Sequence, residues 1–247
     1  NGRIRERDVR AVAGTRLDGR LIPHTTIRRT IAARMVAGVT EAAPVTLTTK
    51  LDATNLVGLR AQFKSAASQT DALVPSYTDV IVKLTAAALR QHPLLQAQWR
   101  EDGLFVPERL DIAVAVDTEA GLLAPVLRSV DRLTLRQIAA RSRELIEQAR
   151  SYRLSADDMR DATFTVSNLG NFGIDAFTPI IHLPQCAVLG IGNIVREPVV
   201  RHNRIVPGNM LTLSLTFDHR VVDGAPAARF FQTLRSYVEN PAPWIIA

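Results

Sequence analysis

Helix-period and strand-period segments alternate along this 247-residue chain without the short regular β-α-β repeat of a barrel. That pattern predicts an α/β protein: a two-layer α+β arrangement, with a mixed sheet flanked by helices. No glycine-rich phosphate loop follows a strand-like run, and there is no internal repeat. Apolar residues make up 47% and charged residues 22%, so one large domain with a sizeable core is within reach.

The elements follow in order. Residues 1–22 are polar, glycine-spotted and aperiodic, and read as a linker; a main domain over 23–247 follows. Apolar Ile27, Ile31, Met35 and Val39 share one helical face, and that helix must stop before Pro44. A strand over Val45 to Leu51 comes next. Asp52 suits the N-cap of a helix running through Ala67. Ser76 or Thr78 caps a helix to Gln91, which halts before Pro93. Four β-like stretches follow: Leu94 to Arg100, Gly103 to Val106, Leu110 to Val116 and Leu122 to Val126. Leu133 to Tyr152 is a long amphipathic helix, and Ser155 caps a short one carrying Asp157 and Asp158. Strands at Thr163 to Ser167, Ala187 to Gly192 and Leu211 to Phe217 precede a last helix, Ala225 to Glu239.

The formal net charge of +6 sits in one place. Residues 1–34 hold nine arginines and three acidic groups, so the remaining 213 residues balance. A basic arm without aromatics, followed by no recognition motif, does not point to nucleic acid. Arginine outnumbers lysine 27 to 3, which we read as genome composition. The single cysteine, Cys186, excludes an intrachain disulfide and lies in an apolar run, where a small buried hydrophobe is expected. No apolar run approaches the ~20 residues of a membrane-spanning helix, and no export signal is visible. The chain starts without Met, and we expect it to be part of a longer protein.

Chemistry concentrates in Asp218-His219-Arg220-Val221-Val222-Asp223-Gly224, between a strand and a helix. A neutral imidazole there can take a proton from a thiol or hydroxyl, and a carboxylate four residues on can fix its surroundings. Alone, the pattern is better explained by a helix-capping Asp-Gly turn beside a structural histidine.

Its surroundings decide between the two. LSLTFDHRVVDGAPAARF resembles the terminal motif of the dihydrolipoamide acyltransferases, the core subunits of 2-oxo-acid dehydrogenase complexes. The block Ala162 to Gly170 with Phe177 to Ile181 and Leu183-Pro184-Gln185, and the block Ile112 to Pro125, match in the same order. The resemblance spans Ile22 to the last residue. Gly2-Arg3-Ile4 with Asp8-Val9 resembles the end of the upstream peripheral-subunit-binding domain. The family implies the chloramphenicol acetyltransferase fold, a trimeric building block and an active-site channel between neighbours.

It also implies acyl transfer, favoured as acetyl, between a dihydrolipoamide thiol and coenzyme A, in a pyruvate or acetoin complex, with the branched-chain type as the alternative. The lipoyl group would ride on a separate domain. A 2-oxo-acid decarboxylase and dihydrolipoamide dehydrogenase would bind upstream, and trimers would build a 24-mer or 60-mer cage. His219 matches the family's base and Asp223 its paired carboxylate, acting electrostatically or holding an arginine. Arg220 is read as a structural pairing group. Ser167 matches the oxyanion donor. Arg60, Ser76, Asp117, Asn168 and Gly192 match coenzyme A contacts. Two departures stand out: Ile146 replaces a polar coenzyme A contact, and Val45 follows Pro44 where relatives often carry histidine.

His24, His92, His182 and His202 lack metal-ligand spacing, so no metal is expected. His92, at a helix end, sits where a cation is favourable. The apolar tail Pro243 to Ala247 is expected to contact a neighbouring trimer. Rival readings are an antibiotic O-acetyltransferase of the same fold and a non-catalytic scaffold subunit; retained His219 and Ser167 weigh against the second. We expect a bacterial cytoplasmic protein, or a mitochondrial matrix one if eukaryotic, with neither nucleic acid nor membrane as partner.

Overall fold

The computed structural model describes residues 3–8, 19–68, 72–119 and 121–246. Most of the predicted linker, including Gly2 and Val9, lies outside the described residues. Helix α1 (Thr26–Thr40) starts where Thr25 Oγ1 accepts from Arg28 N–H at 3.1 Å. Strand β1 (Pro44–Asp52) leads to α2 (Thr54–Ala67). Asp52 is not the N-cap itself. It ends β1, and its carboxylate accepts from Thr54 N–H at 2.9 Å.

Helix α3 (Tyr77–Gln91) opens on a reciprocal capping box between Ser76 and Asp79. It is the central helix, with ten buried residues from Asp79 to Leu89. The expected strand at Leu94 begins as a 3-10 turn, Pro93–Gln96, because Pro93 follows the helix end directly. Only Gln98–Arg100 (β2) is extended, and it pairs with β3 (Gly103–Phe105).

Strands β4 (Ile112–Val114), β5 (Val116–Thr118), β6 (Gly121–Leu123) and β7 (Val126–Leu127) split the next two expected stretches between two sheets. Helix α4 (Leu135–Arg150) is set by a Thr134/Gln137 capping box. Ser155 then pairs reciprocally with Asp158 around the 3-10 turn Asp157–Met159. Strand β8 (Phe164–Asn168) precedes a long hairpin, β9 (Ala187–Arg201) and β10 (Arg204–Asp218). Helices α5 (Gly224–Glu239) and α6 (Ala242–Ile246) close the chain.

The main sheet has the order β1-β10-β9-β8-β4-β7. Strands β4, β8 and β9 run parallel, while β1, β10 and β7 pair antiparallel. The mixed sheet is as expected. The hairpin is longer than its hydrophobic alternation suggested, because it continues past Gly192 to a two-residue turn at His202 and Asn203, both with positive φ.

One face of the sheet carries the core. Phe164, Val166, Leu189, Ile191, Leu211, Leu213, Leu215 and Phe217 pack against Leu56 of α2, Ile81 and Leu84 of α3, Ile138 and Leu145 of α4, and Phe230 and Leu234 of α5. Each such side chain contributes roughly 1.5–3 kcal/mol of burial. The other face is polar along β1 and β10, where Thr46 meets Thr216 at 2.8 Å and Thr48 meets Ser214 at 3.3 Å. Within its own chain the tail packs back on the domain. Trp244 stacks on Tyr237 of its own subunit at 3.8 Å between centroids, and with Ile245 packs on the core.

Candidate active site

Two clusters hold the residues singled out from sequence, and they lie at opposite ends of the sheet. The first gathers at the C-terminal end of the parallel strands β4, β8 and β9. Ser167 and Asn168 end β8, and Gly192 follows their β9 partners Gly190 and Ile191. Asn168 Nδ2 donates to Thr78 Oγ1 at 2.9 Å, and Asn168 Oδ1 accepts from Gly170 N–H at 2.8 Å. Gly192 is packed so closely that a Cβ there would lie 1.9 Å from the Asp175 carbonyl oxygen, so only glycine lets the backbone approach. Asp117 lies on β5, three residues past the Val114–Val166 pair of β4 and β8.

Arg60 of α2 reaches the same end. Its guanidinium sits over the Tyr77 ring at 4.9 Å. Its Nε is shielded from solvent and has no hydrogen-bond partner among the described residues. A guanidinium at this end of the sheet suits an anionic ligand group. Ser76 caps α3, one of the two caps expected for this helix. Its hydroxyl donates to Asp79 Oδ2 at 2.7 Å and accepts from Asp79 N–H at 3.1 Å, so it serves the helix start first.

The second cluster is the turn after β10. His219 is held by its N–H donating to the Ala43 carbonyl at 2.9 Å. The side chain is half exposed, with Nδ1 3.6 Å from Asp223 Oδ1. Asp223 stands at the head of α5 but makes no side-chain capping bond. Nor does it hold the neighbouring arginine. Arg220 is paired with buried Asp218, Nη2 to Oδ2 at 2.6 Å. Burial pushes the Asp218 pKa up. The bonds from Arg220 and from the Ala43 and Arg220 N–H groups outweigh it and hold the carboxyl below its ordinary range. Sequence reasoning missed Asp218. Its adjacency to His219 was visible, but its inward aim was not.

The strand registers measure how far apart the clusters lie. Ser167 is level with Gly190, and Gly190 with Ser214. His219 is five residues beyond Ser214, about 17 Å along the strand at ~3.3 Å per residue. One chain therefore does not bring the serine hydroxyl and the imidazole together.

Cys186, His92 and His182 lie outside both clusters. Cys186 is buried, with Sγ 3.4 Å from the Leu94 carbonyl, and burial together with Asp218 pushes its thiol up to about 12. His92 is not the helix-end cation expected. Burial and then Arg229 lower its pKa, and its Nε2 meets Thr233 Oγ1 at 2.9 Å. His182 is lowered by burial and by Arg34, whose Nη1 lies 3.4 Å from its Nε2. Among the described residues no three His, Cys, Asp or Glu side chains converge as a metal site would require, and no helix is long and apolar enough to cross a membrane.

This fold, with a histidine turn at one end of the sheet and a Ser-Asn strand end at the other, defines an acyltransferase-type catalytic domain. The chain belongs to the 2-oxoacid dehydrogenases acyltransferase (catalytic domain) family, whose pattern matches residues 17–246. It is 36% identical over 225 residues to the Bacillus subtilis dihydrolipoyllysine-residue acetyltransferase component of the acetoin cleaving system, covering 91% of this chain and 56% of that protein. It thus spans about half the length of the curated relatives it matches. Among solved structures, it resembles Azotobacter vinelandii dihydrolipoamide acetyltransferase, studied for a serine, a histidine and an asparagine in its catalytic mechanism. The TM-score is 0.88 at 34% identity, over 92% of this chain and 94% of that one. The cubic core of a pyruvate dehydrogenase multienzyme complex gives the same figures.

Proposed function

We propose that this domain transfers an acetyl group between the thiol of dihydrolipoamide and that of coenzyme A, at a site shared by two copies of the chain. The observation that carries the reading is the division of the site: Ser167 at one end of the sheet, His219 at the other. In the Azotobacter protein the serine and histidine are 52 positions apart and the asparagine four further on. Ser167, His219 and Asp223 keep both spacings, with aspartate in place of asparagine.

The thiol needs help because, with a pKa of ~8.5, it is only a few per cent ionised at neutral pH. His219 Nε2 takes the thiol proton as the sulfur attacks the thioester carbonyl. The carbonyl electrons move onto oxygen, and the Ser167 hydroxyl of the adjoining copy donates to that oxyanion. Collapse expels the second sulfur, which recovers the proton from the imidazolium. Asp223 faces the ring from the Nδ1 side, with Oδ1 at 3.6 Å. Coenzyme A lies along the first cluster: Arg60 offers its guanidinium to a phosphate, and Asn168, Asp117 and the tight Gly192 backbone border the pantetheine path.

The assembly is a homotrimer that builds a larger cage, and the cubic core of the structural relative supports this. A lipoyl domain delivers the acyl group, and the decarboxylase and dihydrolipoamide dehydrogenase bind upstream. The compartment is the bacterial cytoplasm. The test is acyl-coenzyme A formation from acetyl-, isobutyryl- and succinyl-dihydrolipoamide beside a His219→Ala control. Acetyl preference with loss in the control supports the reading. No turnover with any donor by a folded oligomer overturns it in favour of a scaffold.

A further inference from the structure

The turn that carries His219 is built around one buried carboxylate. Asp218 is 1% exposed. Its Oδ1 accepts from the Ala43 N–H at 3.1 Å, and from the Arg220 backbone N–H and Nε at 3.0 Å each. Its Oδ2 accepts from Arg220 Nε at 3.0 Å and Nη2 at 2.6 Å. Its own N–H donates to the Cys186 carbonyl at 2.8 Å, and its carbonyl accepts from Val221 and Val222 at 2.9 and 3.1 Å. His219 is thus flanked by a residue anchored to β9 and by one whose backbone and side chain both bind the same carboxylate. The strand lead-in that receives the His219 N–H, Ala43, is held by that carboxylate as well. Arg220 in turn lies over the Trp99 ring of β2 at 5.3 Å, which fixes the far side of the clamp.

We propose that Asp218 is a positioning residue for the acyl-transfer reaction: it fixes the backbone of the His219 turn, and through it the direction of the imidazole, without touching substrate. A buried carboxylate with this many donors is costly to replace, because the Ala43 and Arg220 backbone N–H groups lose the acceptor they share. Charge-assisted bonds from both sides of the histidine make the turn stiff, and reacting groups displaced by about 1 Å lose on the order of 10²-fold in rate. Asp218 is buried beneath the turn and cannot touch a ligand, so ground-state binding of coenzyme A should be insensitive to the clamp.

This inference rests on His219 being the base, and the experiment separates the two claims. Steady-state kinetics of Asp218→Asn, His219→Ala and the double variant would be measured on the assembled oligomer. We expect Asp218→Asn to lower kcat on the order of 30–100-fold, within the range a misplaced group costs, with KM for coenzyme A unchanged. In the His219→Ala background the same substitution should remove nothing more, because residues acting as a unit are non-additive. If Asp218→Asn fails to assemble, Arg220→Lys replaces it: the charge stays, the two-pronged geometry goes, and kcat should fall several-fold at constant KM. A kcat within about twofold of wild type in the folded variant, or equal loss in both backgrounds, overturns the positioning role while leaving His219 as base. Full turnover by His219→Ala overturns the functional reading and this inference with it.

Discussion

Asn168 and Thr78 are joined by a 2.9 Å hydrogen bond that ties the end of β8 to the first turn of α3. Asn168 Nδ2 donates in that bond while Oδ1 accepts from Gly170 N–H, so one side chain sets both the strand end after Ser167 and the loop beyond it. Asn168→Ala should leave two polar groups unpaired at about 1–3 kcal/mol each. We expect a lower Tm and a several-fold higher KM for coenzyme A, with His219-dependent proton transfer intact. Thermal unfolding and a coenzyme A titration check this. An unchanged KM in a stable variant would remove Asn168 from the binding surface.

Division of the site between copies makes a complementation test possible. Ser167→Ala and His219→Ala chains are each expected to be strongly impaired alone. Mixed at equal ratio within one assembly, a random distribution leaves about one site in four with an intact serine and an intact histidine. Co-expressed, differently tagged chains purified through both tags should therefore recover about a quarter of wild-type activity. Recovery no greater than that of the single variants would place both groups in one chain.

The sequence made much of this legible, for identifiable reasons. Capping pairs such as Ser76/Asp79 and Thr134/Gln137 are local, so the helix starts could be read to within two residues. His219 and Ser167 stood out through their motif neighbours. The sequence leaves open the choice between Ser76 and Thr78 as the cap, because both stand at the helix start, and the reciprocal bonds with Asp79 decide it for Ser76. Asp218 was passed over because nothing in the order Asp-His-Arg says which carboxylate turns inward; strand pairing with Pro44 decides it. The hairpin beyond Gly192 escaped notice because its outer residues, such as Val200 and Ile205, are exposed and give no buried alternation.

Gly192 provides a test of close packing at the coenzyme A end. An alanine Cβ would meet the Asp175 carbonyl oxygen at 1.9 Å and the Thr212 carbonyl at 3.0 Å. Both are backbone atoms, so a loop or a strand must move. Overpacking of this kind costs about 1–3 kcal/mol. Gly192→Ala should lower Tm by several degrees and weaken coenzyme A binding, while Gly58→Ala, with open space at its Cβ, should be neutral or stabilising in α2. Calorimetry of both variants compares them directly.

Cys186 should behave as an inert core thiol. Held at about 12 by burial and the Asp218 charge, it has almost no thiolate at neutral pH. Iodoacetamide should leave the native oligomer unlabelled and active over hours, and should modify the chain stoichiometrically in denaturant. Labelling of the native protein at a rate similar to a free thiol would show that the β9 entrance opens.

Acid stability should follow the depressed carboxyls. For Asp218 and Asp52, burial raises the pKa, but hydrogen bonds and arginine partners, Arg220 and Arg201 respectively, bring the folded value below the ordinary one. A group depressed in the folded state contributes stability that is fully present above its unfolded pKa, about 3.9 for aspartate. That contribution is lost as pH falls through the lower folded value. Wild type should therefore exceed Asp218→Asn in unfolding free energy by a constant margin from about pH 5 to 7. The margin should shrink below about pH 4, where the protonated acid resembles the amide. Urea unfolding at fixed protein concentration, which holds the assembly equilibrium constant, measures it. A margin unchanged down to pH 3 would mean that the Asp218 carboxylate does not stabilise the fold through its charge.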